Sequence, residues 1–306
     1  MGAQLRIYRR RIRSTQSMAK ITRAMELIAT TRITKAQRAV QAAEPYAREI
    51  TRAVSAVAGR VSEHPLLTES ENPTRAAILV ITSDKGLAGA YTANAIKEAE
   101  SLSALLQEQG KEVLLYVVGR KGIAYNQFRD RAMEQTWEGF TERPAYAHAK
   151  EIGAALMDRF VKDSVTEDGV DEIHIVSTRF VSMLTQQAAS NRVLPLEVEE
   201  VDAAELEKEQ GKPLPLYEFE PSPEEALDQL LPQYVTNRIY FALLESAASQ
   251  QASRRNAMKA ATDNAEELAK NLTRQANQAR QAEITNEISE IVGGADALAA
   301  ASAGSE

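Results

Sequence analysis

Apolar residues recur at helical spacing over both ends of the chain, whereas the centre alternates short apolar runs with amphipathic stretches. From Ile21 a 4,3 rhythm passes through Met25, Ile28, Arg32, Lys35, Ala39, Ala42, Tyr46, Ile50, Ala53 and Val57, the seam expected of a left-handed coiled coil. Met258, Ala261, Ala265, Leu268, Leu272, Gln275 and Ala279 keep the same rhythm, and Ile284, Ile288 and Ile291 continue it after a phase slip. The apolar members are mostly small, which lets two backbones approach closely, and Arg32, Lys35 and Gln275 would fix the register. Two amphipathic helices packed into one bundle would give a related pattern, but length argues for pairing outside the globular part. From Gln233 to Val292 there is no Gly or Pro, and such a helix spans roughly 90 Å at ~1.5 Å per residue.

Pro45 should kink or split the first helix. His64-Pro65 and Asn72-Pro73 mark its exit into a central body that begins near Thr74. Ala76 to Ile81 is a continuous apolar run, the type buried on both faces of a parallel sheet. A turn, Ser83 to Gly89, leads to a helix from Tyr91 to Gln109. Glu112 to Val118 reads as a strand, Gly119 to Arg129 and Ala147 to Lys162 as helices, Glu172 to Ser177 as a strand, and Phe180 to Leu196 as a further strand and return. This alternation predicts a Rossmann-like α/β layer. Glu197 to Pro221 is acidic and reads as an exposed connection. Ser222, Pro223 and Glu225 form a helix start with a capping box, Pro232 should break or kink that helix, and Gly293-Gly294 should end it. The expected organisation is a helix over 1–62, an α/β domain over 74–221, a second long helix over 222–294, and a disordered tail over 295–306.

Charge changes the picture. Residues 1–60 carry 13 Lys/Arg against 3 Asp/Glu, net +10; residues 61–232 are net −15 and residues 233–306 net −2. The first helix is a basic rod. Arg6, Arg9, Arg10, Arg11, Arg13, Lys20 and Arg23 could meet nucleic acid, act as a targeting helix, or face an acidic protein. The apolar rhythm continues past any cleavage point, which disfavours targeting, and no aromatic stacking platform accompanies the charge. Aromatics are 5% of residues and there is no cysteine, so disulfides and thiolate metal sites are excluded. No run of about eighteen apolar residues could span a membrane.

Candidate chemistry is sparse. Gly86 and Gly89 after the first strand invite a nucleotide reading, yet there is no GxGxxG or GxxxxGK motif, and Gly119-Arg120-Lys121-Gly122 is equally incomplete. His64, His148 and His174 stand singly, so no metal site is expected, and no nucleophile elbow occurs. The pattern is mechanical rather than catalytic.

The strings ITRAMELIATTRITKAQ, AMKAATDNA and ARQAEITNEISEIVGGADAL, with SDKGLAG after the first strand, closely resemble the gamma subunit of F-type ATP synthase over nearly the whole chain. The resemblance implies that the terminal helices form an antiparallel coiled coil inside a ring of three alpha and three beta subunits. The body would join the epsilon subunit and the c ring, and proton flow would turn the shaft. It implies no catalytic residue, cofactor or metal in this chain, with MgATP and MgADP held by alpha and beta. By motif, Met25, Arg254, Arg280, Gln281, Thr285 and Glu287 are expected at contacts with beta or in coupling, Lys20, Arg23 and Lys35 on the basic helix face, and Tyr217, Phe219 and Glu220 at the foot that meets the c ring and epsilon. Neither a chloroplast-type cysteine insertion nor a removable presequence is seen, so the expected home is the cytoplasmic side of a bacterial plasma membrane, as a peripheral subunit. A basic coiled-coil nucleic-acid binder and a Rossmann-like nucleotide enzyme are the alternatives.

Overall fold

The computed structural model describes residues 2–58, 60–61, 70, 72–162, 164, 168–196, 219–220 and 222–303. Two long helices, α1 (Gly2–Ala58) and α5 (Pro223–Ala303), enclose in sequence β1 (Arg75–Ile81), α2 (Tyr91–Glu108), β2 (Glu112–Val118), α3 (Arg120–Phe128), β3 (Gln135–Trp137), α4 (Tyr146–Phe160), β4 (Glu172–Phe180) and β5 (Gln186–Leu194). The chain divides into a helix-pair unit, Met1–Ile28 with Asn256–Glu306, and a body unit, Ala29–Arg255. The division therefore cuts both long helices rather than following their ends.

In the body unit the strand order is β3-β2-β1-β4-β5, with β3, β2, β1 and β4 parallel and β5 antiparallel. The side-chain period of two splits the central strand between two cores. Ala77, Leu79 and Ile81 face α4 (Ala149, Ile152, Leu156) together with Ile50, Val54 and Val57 of α1 and Leu227, Leu231 and Ile239 of α5. Ala76, Ile78 and Val80 face Ala99, Leu102 and Leu106 of α2. Both faces of the sheet are covered, which is why β1 reads as an unbroken apolar run. β3 was not expected; at three residues it is too short to show a period.

Pro45 and Pro232 lie inside α1 and α5, so of the expected kink or break neither helix shows the break. Both prolines are exposed, so water can satisfy the carbonyl each leaves unpaired, and core burial on either side offsets the cost of about 3 kcal/mol. Nor does α5 stop at Gly293-Gly294; it runs to Ala303, through a stretch rich in alanine, the strongest helix former. The start of α5 follows the expected cap, with Glu225 N–H donating to Ser222 Oγ at 3.2 Å.

Candidate interaction surfaces

The inward positions of α1 recur at strict 3,4 spacing, through Leu5, Tyr8, Ile12, Thr15, Ala19, Thr22, Glu26, Ala29 and Ile33 and on to Val57. This corrects the expected seam, which ran one position early over most of the helix. Ile21 and Ile28, expected inside, are 54% and 51% exposed. In α5 the seam holds Met258, Ala265, Leu272 and Ala279 as expected, but alternates them with Thr262, Ala269 and Ala276 rather than Ala261, Leu268 and Gln275. Around the Thr22–Thr262 contact the seam is mainly alanine and threonine, with Met258 and Leu272 among them, and Ile21, Ile28 and Leu268 lie on its flanks.

Within the helix-pair unit the strands of the pair run antiparallel. Thr22 meets Thr262, Oγ1 to Oγ1, at 2.6 Å, while a groove nearer the start of α1 is walled by Gln16, Lys20, Glu266, Lys270 and Thr273. Arg23 reaches Glu266 at 3.5 Å, an exposed pair worth little in stability. Polar register residues do exist, but they are Thr22 and Thr262. Lys35 and Gln275 point to solvent.

That phase puts large apolar side chains on the outside. Met18, Ile21, Leu27 and Ile28 are exposed along α1, beside exposed Lys20 and Arg23, and Met25 is half-buried. On α5, Arg280, Gln281, Thr285 and Glu287 are all exposed, and the Thr285 hydroxyl donates to its own helix at Gln281 O, 2.9 Å. Ile284, Ile288 and Ile291 are exposed too, which corrects their expected place in the seam, and so is Val292. Counting back from the Thr22–Thr262 contact, Gly2 lies level with residue 282, so α5 runs on for about 30 Å without α1 beside it.

Arg254 behaves differently. It is 6% exposed in the body unit and its Nη1 lies 2.9 Å from Glu142 Oε1, while its Nη2 donates to Lys85 O at 3.3 Å. Glu142 Oε2 also accepts from Arg32 at 2.9 Å and Lys85 at 2.8 Å. Burial pushes the Glu142 carboxyl up, but Lys85, Arg254 and Arg32 outweigh it and hold it below the ordinary carboxylate value. Burial lowers Arg254 from its usual value, against the pull of Glu142. Nothing in the local sequence around Glu142 signals this cluster, because its three cations come from distant segments.

The turn after β1 sends a carboxylate to the start of α3. The Asp84 carboxylate accepts from Arg120 N–H at the start of α3 (3.1 Å), and from Thr141 N–H and hydroxyl (2.9 Å each). Burial pushes Asp84 up, but these donors and Gly139 N–H hold it below its ordinary value. An internal anion thus occupies the N-terminus of α3, beside Gly119 and Gly122, whereas α2, into which the turn after β1 leads, has no side-chain cap at Ala90. Gly119 and Gly122 have a separate reason: a Cβ at either would come within 2.6 Å of the Thr82 hydroxyl. Among the described residues no cluster of three His, Asp or Glu side chains could hold a metal. At the expected foot, Phe219 is half-buried against the core with the Arg60 guanidinium 5.6 Å from its ring centre, and Glu220 is exposed. Tyr217 and His64 lie outside the described residues.

An antiparallel pair of terminal helices with an alanine-rich seam, attached in sequence to a doubly wound α/β body, defines a central-stalk fold. The family model described as ATP synthase matches residues 4–298. The ATP synthase gamma chain of Thermobifida fusca (strain YX) is 80% identical over 306 residues, covering 100% of both chains. The chain therefore belongs to the ATP synthase gamma-chain family. Among solved structures, a chain of the Euglena gracilis mitochondrial ATP synthase in rotational state 3 superposes with a TM-score of 0.65 at 16% identity, covering 99% of this chain and 97% of its own. A chain from the central stalk and c-ring of the Tetrahymena thermophila mitochondrial ATP synthase gives 0.57 at 20% identity, covering 79% and 99%. At such identities the likeness concerns the fold.

Proposed function

We propose that this chain is the central-stalk rotor of a bacterial F-type ATP synthase, turning inside a ring of three alpha and three beta subunits and coupling proton flow through the c ring to ATP synthesis and hydrolysis at the beta subunits. The observation that carries this reading is the outward phase of the helix pair. Large apolar side chains and the basic face of a helix segment with net +10 over residues 1–60 are left for partners, while small residues hold the two helices together. Met25, with Lys20 and Arg23 around it, and Arg280, Gln281, Thr285 and Glu287 on α5 are the residues that meet beta. Lys35 adds to the basic face, Arg254 acts inside the body, and Tyr217, Phe219 and Glu220 form the foot toward epsilon and the c ring. A rotating effector shifts a site between states only through differential contacts, and charge gives attraction that tolerates turning.

The chain itself contributes no catalytic group and no cofactor site; MgATP and MgADP are held by alpha and beta. Asp84, whose carboxylate takes the N-terminus of α3 at the Gly119–Gly122 turn, supports this for that turn. No described helix is long and apolar enough to cross a membrane, consistent with a peripheral subunit on the cytoplasmic side of the plasma membrane. The test is MgATPase activity of matched alpha and beta subunits with and without this chain, together with native mass spectrometry. A complex of three alpha, three beta and one copy, with activity depending on that copy, is expected. Failure to co-assemble, with salt-dependent binding of nucleic acid instead, would overturn the reading.

A further inference from the structure

We propose that Glu142 is a positioning residue, a clamp that fixes the body-unit ends of α1 and α5 to the turn after β1 and so resists twist of the long helices against the α/β body. The proposal rests on the rotor reading but concerns contacts within this chain alone.

One carboxylate gathers cations from three separate elements: Arg32 of α1, Lys85 of the turn and Arg254 of α5, at 2.9, 2.8 and 2.9 Å. Both of its oxygens are engaged. Arg32 stands one turn, and Arg254 one residue, inside the limits of the body unit at Ala29 and Arg255, so the clamp lies where each helix makes its last contacts with that unit. Its own loop is braced. Next to Glu142, Thr141 exchanges hydrogen bonds with Asp84 in both directions, and Phe140 stacks on His148 of α4 with centroids 4.0 Å apart.

The physical case is directionality. The apolar packing of Ile50, Val54, Leu227 and Leu231 against the sheet is strong but non-directional, and gives little resistance to small rotations of a cylinder in its bed. Charge-assisted hydrogen bonds such as those of Arg32 and Lys85 to Glu142 do resist rotation. Arg254 adds a buried ion pair to Glu142 through an Nη1 that makes no hydrogen bond, with its Nη2 bonded to Lys85 O. The Glu142 and Arg254 side chains are only 14% and 7% exposed, so salt and water screen the contact weakly.

The test is made in the assembled complex, with a bead on the body and the ring fixed, by reading the angular fluctuations of the stalled rotor. Glu142→Gln keeps an acceptor but loses charge; since charge-assisted hydrogen bonds are roughly twice as strong as neutral ones, the angular variance should rise about twofold. If Glu142→Gln does not assemble, Arg32→Gln with Lys85→Gln, which leaves the buried Arg254–Glu142 pair, should still broaden the fluctuations. Because the chain has no cysteine, Arg32→Cys with Glu142→Cys can be bridged specifically within it by a bifunctional maleimide, and bridging should restore the narrow distribution. Variance equal to that of the unsubstituted complex in the assembled Gln variants, or no narrowing on bridging, would overturn the clamp. Failure of the unsubstituted complex to rotate would instead count against the rotor reading.

Discussion

The same two helices are built differently in the two units. In the body, α1 and α5 bury large side chains: Ile50, Val54, Leu227, Leu231 and Ile239 are all at most 5% exposed. In the helix-pair unit the buried set is Ala19, Thr22, Met258, Thr262, Ala265, Ala269, Leu272 and Ala276, while Met18, Ile21, Leu27, Ile284 and Ile288 stay outside. Apolar burial contributes about 25 cal/mol per Å², so stabilisation concentrates in the body. The pair buries fewer large side chains and leaves Met18, Ile21, Leu27, Ile284 and Ile288 in the open.

The largest test of this difference is a truncation in each unit. Leu231→Ala opens a cavity at a fully buried position and should cost about 2–5 kcal/mol. Ile21→Ala, at an exposed position in the other unit, should cost less than about 0.5 kcal/mol while weakening assembly with the alpha and beta subunits. Urea unfolding of the full chain, set beside assembly yield, measures both. Equal losses of stability would erase the distinction.

A second effect belongs to the body alone. Glu172 accepts from Lys111 Nζ at 2.6 Å and lies 2.9 Å from His174 Nε2, all three nearly buried. Burial pushes its carboxyl up, but His174 and Lys111 outweigh that and bring it down to about 2. A depressed folded value gives stability that is full above the unfolded value near 4.5 and is lost as pH falls from there through about 2. Unfolding followed against pH should therefore show Glu172→Gln less stable by about 2–3 kcal/mol at neutral pH, with the gap closing toward pH 2. A gap independent of pH would mean the ion pairs do not set it.

What was legible in the sequence follows the same line between units. β1 was readable because a strand buried on both faces must be apolar throughout, β2 because all its residues after Glu112 are apolar, and the cap and turn of the body announced themselves through Ser222 and Gly86. β3, three residues long, carried no period, whereas β5 falls within the strand and return expected over Phe180 to Leu196 even though Gln186, Gln187, Ser190 and Asn191 interrupt its apolar pattern. The seam was legible in period but not in phase. With alanine on several faces, hydrophobicity pointed to Ile21 and Leu268, whereas the packed face is the one that carries Ala19, Thr22, Thr262, Ala265 and Ala269. The Glu142 cluster could not be read at all, since its members are separated by up to 222 residues and meet only once the fold exists.

If the seam is chosen by size, enlarging it should hurt where truncating the flank does not. Ala265 is buried in the pair, and Ala265→Leu should cost about 1–3 kcal/mol by overpacking. Helical circular dichroism on heating would register this as early loss of part of the signal. If Ala265→Leu is neutral or stabilising, the helices are not in close contact and the seam is not set by small residues.

The finest test asks what the two threonines do. Thr262 donates back to Met258 O at 2.8 Å, and Thr22 has Met18 O and Ala19 O within 3.1 Å as well as the Thr262 hydroxyl at 2.6 Å. Each hydroxyl has one hydrogen, so with Thr262 turned to its own helix, Thr22 supplies the bond across the seam. Thr262→Val removes that bond but leaves Thr22 its own carbonyls, so no buried donor is orphaned and the cost should stay near about 0.5–1 kcal/mol. Thr22→Val with Thr262→Val should cost no more than either change alone, because two valines pack where two hydroxyls met. The double-mutant cycle therefore reads the pair as a coupling energy. A coupling near zero would reduce both threonines to separate helix residues, and the register of the pair would then rest on the fit of alanines alone.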